Sequence, residues 1–222
     1  MSVYFVSGAG TDIGKTYVTA LLARRLNLAG HTVTPLKPVA SGVPALDSPG
    51  FAATDTAVLL GAAGREVNAA NVGACTPWRF TAPLSPDMAA AAEGRTLPFA
   101  PLLAWCREAV ASAPASVRVL IEGVGGVMSP VADDALNLDL IEALAAPVIV
   151  VGGSYLGSIN HTLTALEALR ARRAVVHAVV VNESVGSTIG LEATLDTLRR
   201  FAQTVPLLTL RRGAETLALD LD

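Results

Sequence analysis

The stretch SGAGTDIGKT, residues 7–16, decides how the rest of the chain is read. It follows the apolar run VYFVS at 3–7 and leads into a segment, 14–28, where Val18, Leu21, Leu22 and Leu26 recur at helical spacing. A strand, a glycine-rich loop and a helix in that order make a phosphate cradle. Successive backbone N–H groups and the positive end of the helix dipole face the anion. The common pattern G-x-x-x-x-G-K-[ST] fits Gly14, Lys15 and Thr16 but puts its first glycine at position 9, which is Ala9. Glycines stand on both sides of it, at Gly8 and Gly10. In this reading Lys15 reaches the β- and γ-phosphates of a nucleotide, and the Thr16 hydroxyl ligates Mg²⁺. The competing reading is a glycine-rich turn with an incidental Lys-Thr.

Outward from that loop, strands and helices alternate. TVTPLKP at 32–38, VRVLIEG at 117–123, PVIVVGG at 147–153, AVVHAVVVN at 174–182 and VPLLTL at 205–210 are apolar runs. Strands covered on both faces read this way. Helical patterns fall at 55–62, 86–93, 99–112, 136–144, 159–172 and 189–202, and Gly30 closes the first helix. Segment 42–54, rich in Pro, Ala, Ser and Gly, reads as one long loop. The alternation implies right-handed βαβ crossovers. The expected fold is α/β: a single P-loop NTPase-like domain over 1–222, with a mostly parallel central sheet and helices on both faces.

Bulk properties agree. The 222 residues are 52% hydrophobic and 16% charged, which suits one well-buried α/β domain and not a disordered chain. The net charge of −3 without a basic run excludes non-specific nucleic-acid binding. Cys75 and Cys106 are too few for a disulfide framework or a zinc site, which suits a reduced intracellular setting. The start MSVYFVSGAG has no basic leader, and the apolar stretch 143–151 is too short to span a bilayer. A soluble, cytoplasmic protein with no membrane and no nucleic-acid partner is expected.

Sheets of this kind bind ligands beyond the carboxyl ends of their strands, and the polar constellations all fall there. Of 16 basic residues only Lys15 and Lys37 are lysines. A compact ammonium among phosphate oxygens is not easily replaced by a planar guanidinium. In KPVASG, 37–42, Lys37 reads as a clamp on transferring charge, with the Ser41 hydroxyl beside it; the alternative is a surface lysine before a flexible loop. In IEGVGG, 121–126, Glu122 ends an apolar strand where an unpaired carboxylate is costly. A metal ion would explain it; a glutamate capping a turn is the bland account. Thr54 and Asp55 could simply open a helix. Thr16, Asp55 and Glu122 together make a suitable Mg²⁺ set. In GGSYLGSINHT, 152–162, Gly157 and Ser158 precede a second helix N-terminus able to hold a carboxylate. Asn160 and His161 are polar contacts or first-turn residues. His161, like His31 and His177, reads as structural. Asn182, ending its strand, is placed to read a nucleobase edge.

These motifs, in this order, resemble the dethiobiotin synthetase family from about residue 4 to 208. The family's first loop is similar to G-T-x-T-x-V-G-K-T, with its leading glycine six places before the second, as Gly8 stands to Gly14. KPVASG, TDTAVLL, FTAPLSPDMAAAAEG, EGVGG, LGSINHTLTALEAL and VVVNES resemble the family's later segments. The resemblance implies a reaction. An amine of 7,8-diaminononanoate takes up CO₂, and the carbamate is phosphorylated by MgATP. The second amine then closes the ring, releasing phosphate. It implies that Lys15, Lys37, Thr11 and Ser41 are catalytic. It places nucleotide contacts at Gly8, Asp12, Ile13, Gly14, Lys15, Thr16 and Tyr17, then Asp55, Glu122, Gly123, Val124, Gly125 and Asn182. Arg211, Arg212 and Gly213 are positional candidates for the same role. It also implies a homodimer with the active site at the interface, where the substrate carboxylate is held by the partner's helix start, here Gly157, Ser158 and Asn160, and Ser41 contacts substrate as well.

The chain departs from the family at Gly10 and Asp12, where aspartate and glutamate occur, and at Asp87, a place that can be histidine. PLLTLRRGAETL lacks the G-E-I-P that follows P-L-L, which bears on nucleobase choice. A rival class is the dimeric P-loop ATPase switch of the partition type. It usually carries a second lysine in the first loop, absent here. A synthetase acting on cobyrinic acid generally carries an added amidotransferase domain, for which the chain has no room.

Overall fold

The computed structural model describes residues 2–202 and 204–221. Met1, Gln203 and Asp222, inside the expected 1–222 span, lie outside the described residues. In chain order the elements are β1 (Ser2–Gly8), α1 (Lys15–Leu28), β2 (Thr32–Leu36), β3 (Val39–Ala40), α2 (Asp55–Ala62), α3 (Ala69–Cys75), β4 (Trp78–Arg79) and α4 (Pro86–Ala92). Then come α5 (Phe99–Ala111), β5 (Val117–Glu122), β6 (Pro130–Ala132), β7 (Ala135–Leu136), α6 (Asn137–Leu144), β8 (Val148–Gly153), α7 (Ser158–Ala171), β9 (Val176–Asn182), α8 (Leu191–Phe201) and β10 (Leu207–Leu210).

Six strands form one sheet in the order β10-β9-β8-β1-β5-β2, and every pairing in it is parallel. Alternation along β1 explains why both faces are covered. Phe5 enters a core with Leu102 of α5, Leu169 of α7 and Leu198 of α8. Tyr4 and Val6 point to the opposite core with Leu21 and Leu22 of α1. Leu217, Leu219 and Leu221 also enter that second core, so the C-terminal segment covers part of the face beside α1. No described helix is long and apolar enough to cross a membrane.

The expected strands and longer helices are present with ends shifted by up to two residues. The short elements were not anticipated. Segment 42–54 is not one loop: Pro49–Ala53 forms a 3-10 turn whose N-cap is Ser48. Helix α3 is seven residues long and starts at an Asn68 cap. Strands β3 and β4 are two residues each and exist only by pairing with one another. That pairing matters for the site, because it holds the chain just after Lys37. Lys37 donates its N–H to Cys75 O at 2.9 Å, Phe80 N–H reaches Ala40 O at 3.0 Å, and Gly42 N–H reaches Ala82 O at 3.0 Å.

Candidate active site

Four loops at the carboxyl ends of β1, β2, β5 and β8, with the end of β9, form one crevice. The first loop explains the displaced glycine. A Cβ on Gly8 would lie 2.7 Å from Ile13 Cδ1 and 3.1 Å from Lys15 Cδ, so the loop folds over a position that admits no side chain. A Cβ on Gly10 would meet nothing within 4 Å, so a side chain there has room. Gly14 turns the chain into α1 with φ of 92°, and Asp12 takes φ of 55°, a conformation aspartate tolerates better than most residues.

The third loop closes on the first. Val127 N–H donates to Gly8 O at 2.9 Å. Asn137, fully buried, donates its amide to Gly126 O at 2.9 Å and to Val124 O, and so holds the glycine turn in shape. Gly123 is itself crowded by Phe5, whose Cε1 would lie 2.9 Å from an added Cβ.

Lys15, Thr16, Lys37, Ser41 and Asp55 line a cavity of about 400 Å³ with Thr11, Val124 and Gly125. Thr16 Oγ1 lies 2.7 Å from Asp55 Oδ1 and 2.8 Å from Glu122 Oε1. Asp55 has two roles here. It opens α2 behind the Thr54 cap, as the bland reading held, and it also faces the phosphate loop.

Glu122 has a protein partner that neither sequence reading named. Lys37 Nζ donates to Glu122 Oε1 at 2.7 Å and to Gly123 O at 3.3 Å, and sits 2.9 Å from Asp55 Oδ2. Both Lys37 and Glu122 are buried, at 3% and 0% exposure of their side chains. An ammonium is the group best placed to offset a carboxylate at the end of an apolar strand. One oxygen, Glu122 Oε2, stays buried without a partner. Two carboxylates and a hydroxyl on a phosphate loop, with that orphaned oxygen, are hard oxygen donors that fit Mg²⁺. Among the described residues no three His, Cys, Asp or Glu gather, so phosphate and water oxygens would complete such a shell.

The two lysines are tuned in opposite directions. Burial, helped by the ammonium of Lys37, pushes the Lys15 pKa down to about 8 against the pull of Glu122, Asp55 and Asp12. Lys15 Nζ meanwhile rests on Gly10 O at 2.9 Å. Burial also disfavours the charge on Lys37, but Glu122 and Asp55 more than reverse it, and its pKa is raised. Asp55 is disfavoured as an anion by burial, yet Lys37 and the Thr16 hydroxyl hold its pKa below the usual carboxylate range.

Beyond Asp12 the crevice widens into a cavity of about 720 Å³, lined by Ile13, Gly14, Tyr17, Asn182, Arg212 and Gly213. Arg211, the other positional candidate, does not line this cavity; its guanidinium lies 3.8 Å from Glu192 on α8. Tyr155, Glu183, Ser184 and Val185 also line this cavity and were not singled out from the sequence. Asn182 does more than face the cavity. Its Nδ2 donates to Ile13 O at 2.9 Å, and a Cβ on Gly14 would lie 2.3 Å from that nitrogen. Glu183 Oε2 accepts the Arg212 N–H at 2.8 Å, and the Tyr17 hydroxyl donates to Ala214 O.

A third cavity, about 350 Å³, lies across the phosphate loop between Ala9, Gly10, Gly126, Asn160 and His161. Gly157, with φ of 95°, turns the chain into α7. Ser158 is buried with an Oγ that has no partner, while Asn160 is exposed on the cavity wall. The structural reading of His161 is corrected: it is exposed, lines this cavity, and its Nδ1 meets the Tyr155 hydroxyl at 2.7 Å. His177 is structural, with its ring against Tyr4 and Nε2 2.8 Å from Asp220 O.

A family model described as an AAA domain matches residues 2–210. The ATP-dependent dethiobiotin synthetase of Methylobacterium nodulans is 51% identical over 222 residues, covering 100% of this chain and 98% of that protein. The protein of that name from Phenylobacterium zucineum is 44% identical, covering 96% of this chain and 90% of its own length. Among solved structures, the MinC:MinD cell division complex of Aquifex aeolicus aligns at TM-score 0.54 and 13% identity, covering 97% of this chain and 83% of that one. The signal recognition particle receptor FtsY of Elizabethkingia anophelis in complex with GDP aligns at TM-score 0.51 and 14% identity, covering 100% and 60%. These structural likenesses bear on the fold alone.

Proposed function

The chain belongs to the ATP-dependent dethiobiotin synthetase family, and from that premise we propose how its crevice carries out the reaction. The activity is the ATP-dependent formation of dethiobiotin by a ligase. The observation that carries the mechanism is that Lys15, Thr16, Lys37 and Asp55 line one cavity, with buried Glu122 bonded to Lys37 and Thr16 behind it. The substrates are 7,8-diaminononanoate, CO₂ or bicarbonate, and ATP.

The triphosphate lies along residues 8–16, where backbone N–H groups and the dipole of α1 receive it. Lys15 exchanges its contact with Gly10 O for phosphate oxygens, which returns a counter-charge to a desolvated ammonium. Thr16, Asp55 and Glu122 would hold Mg²⁺, which neutralises charge on the β- and γ-phosphates when bound. Thr11 and Ser41 face the same cavity as Lys37 and orient the carbamate. A carbamate oxygen forms a bond to the γ-phosphorus as the bond to ADP breaks. Lys37 stabilises the charge that develops on the transferring group. The second amine then attacks the carbamate carbon, loses a proton, and expels phosphate as the cyclic urea closes.

The base occupies the cavity at Tyr17, Asn182, Arg212 and Gly213. The substrate carboxylate goes to the start of α7 in the other protomer of a homodimer, where Gly157, Ser158 and Asn160 present a helix N-terminus and a buried, unsatisfied hydroxyl. A homodimer with the site at its interface is the expected assembly. Met128, 53% exposed on the wall of the cavity with Asn160, and Leu156, 85% exposed in the turn before α7, support that. The setting is cytoplasmic. The rival partition-type switch is not favoured by the relatives, and residues 8–16 carry a single lysine.

Mass spectrometry of the products from diamine, bicarbonate and MgATP tests the reading. Dethiobiotin with one ADP per ring closed is expected. ADP release that proceeds equally without the diamine would overturn it.

A further inference from the structure

One side-chain contact joins two cavities that otherwise share only the phosphate loop. Tyr155 sits in the short connection from β8 to α7 and lines the 720 Å³ cavity. Its backbone is fixed: Tyr155 O accepts the Ser158 N–H at 2.9 Å. The preceding Ser154 exchanges bonds with Ser184, N–H to Oγ at 3.0 Å in each direction. The Tyr155 ring lies against bare backbone, since a Cβ on Gly153 would fall 2.7 Å from both Cδ1 and Cε1.

The free end of the ring leads elsewhere. The Tyr155 hydroxyl meets His161 Nδ1 at 2.7 Å, with the ring centroids 5.7 Å apart. His161 lines the 350 Å³ cavity with Asn160. The contact ties the wall of one cavity to the wall of the other.

We infer that Tyr155 and His161 form a positioning pair that links nucleotide affinity in one protomer to occupancy of its second cavity by the carboxylate end of the diamine bound in the other protomer's site. The inference rests on the proposed function for the identity of the two ligands. A ligand that fills the 350 Å³ cavity restricts His161 and, through the hydroxyl, the Tyr155 ring. Nucleotide then enters a wall already ordered. Linkage makes the effect reciprocal. Neither side chain needs to touch a reacting atom.

Calorimetry of the full-length protein tests this with a non-hydrolysable ATP analogue, Mg²⁺ and the diamine. The analogue's Kd is measured with and without saturating diamine, and the diamine's Kd with and without the analogue. In the wild type each ligand is expected to tighten the other by the same factor, about 5- to 150-fold. Tyr155→Phe keeps the ring and loses the hydroxyl; His161→Phe keeps a ring and loses the acceptor. Each is expected to bring the factor to about two or less, with the double variant no lower than either single one. A merely structural role would weaken binding but leave the ratio intact. A wild-type factor of one, or an unchanged factor in Tyr155→Phe, would overturn the inference. Dethiobiotin formation by the same wild-type sample reports separately on the function, so the two failures are distinguishable.

Discussion

At the 400 Å³ end of the crevice, Thr16, Lys37, Asp55 and Glu122 come from four separate stretches of chain yet contact one another directly, with Lys15 lining the same cavity. At the 720 Å³ end, the lining side chains instead hold other parts of the protein: Asn182 holds Ile13 O, Glu183 the Arg212 N–H, and Tyr17 the Ala214 carbonyl. The first end is a cluster of charges in which burial and the neighbouring charges shift Lys15, Lys37 and Asp55. The second is a frame whose members fix its walls. The difference teaches that charge placement and cavity shape are separable here, and variants should divide accordingly.

The sharpest break is Lys37→Met. It removes the ammonium from the transferring charge and strands Glu122 in the core. Turnover should fall about 10²- to 10³-fold, and stability by about 3–5 kcal/mol, read from denaturant melts. Adding Glu122→Gln should recover much of the stability and none of the turnover. Recovery of turnover in the double variant would show that Lys37 serves only to balance Glu122. At the framing end, Asn182→Ala frees Ile13 O and should weaken nucleotide binding by about 1–3 kcal/mol, measured as a rise in the ATP KM with kcat nearly unchanged. An equal fall in kcat would place Asn182 with the charges. The smallest effect is expected from Tyr17→Phe, which loses one hydrogen bond to the C-terminal segment. It should cost about 0.5–1.5 kcal/mol of stability and speed amide exchange in residues 214–221.

Sequence reasoning reached the two ends unequally, for a physical reason. The phosphate loop is local: nine residues carry the glycines, the lysine and the threonine, and the cramped position at Gly8 explains the offset that the generic pattern rejects. Lys37 and Glu122 were each visible as costly or useful charges. That they neutralise one another was not, because the contact spans 85 residues and depends on β2 and β5 pairing side by side. The framing residues left even less trace. Tyr155 meets His161 only because a glycine turn folds the chain back, and Tyr17 reaches Ala214 over 197 residues. Strands β3 and β4 were missed because two residues have no periodicity; their pairing partner defines them. Arg211 and Arg212 show the limit of position alone. Neighbours in sequence, one faces Glu192 and the other the cavity.

The bond from Tyr17 to Ala214 also has a kinetic meaning. Its two ends enclose nearly the whole chain, so it cannot form until the parallel sheet between them is largely assembled, and contacts of such separation arrive late in folding. The phosphate loop also leans on distant chain, through Val127 N–H to Gly8 O and Asn182 Nδ2 to Ile13 O. The place for the triphosphate and the wall for the base are thus both completed late. The nucleotide, which needs both, acts chiefly as a lock on the finished fold, slowing its opening more than hastening its formation.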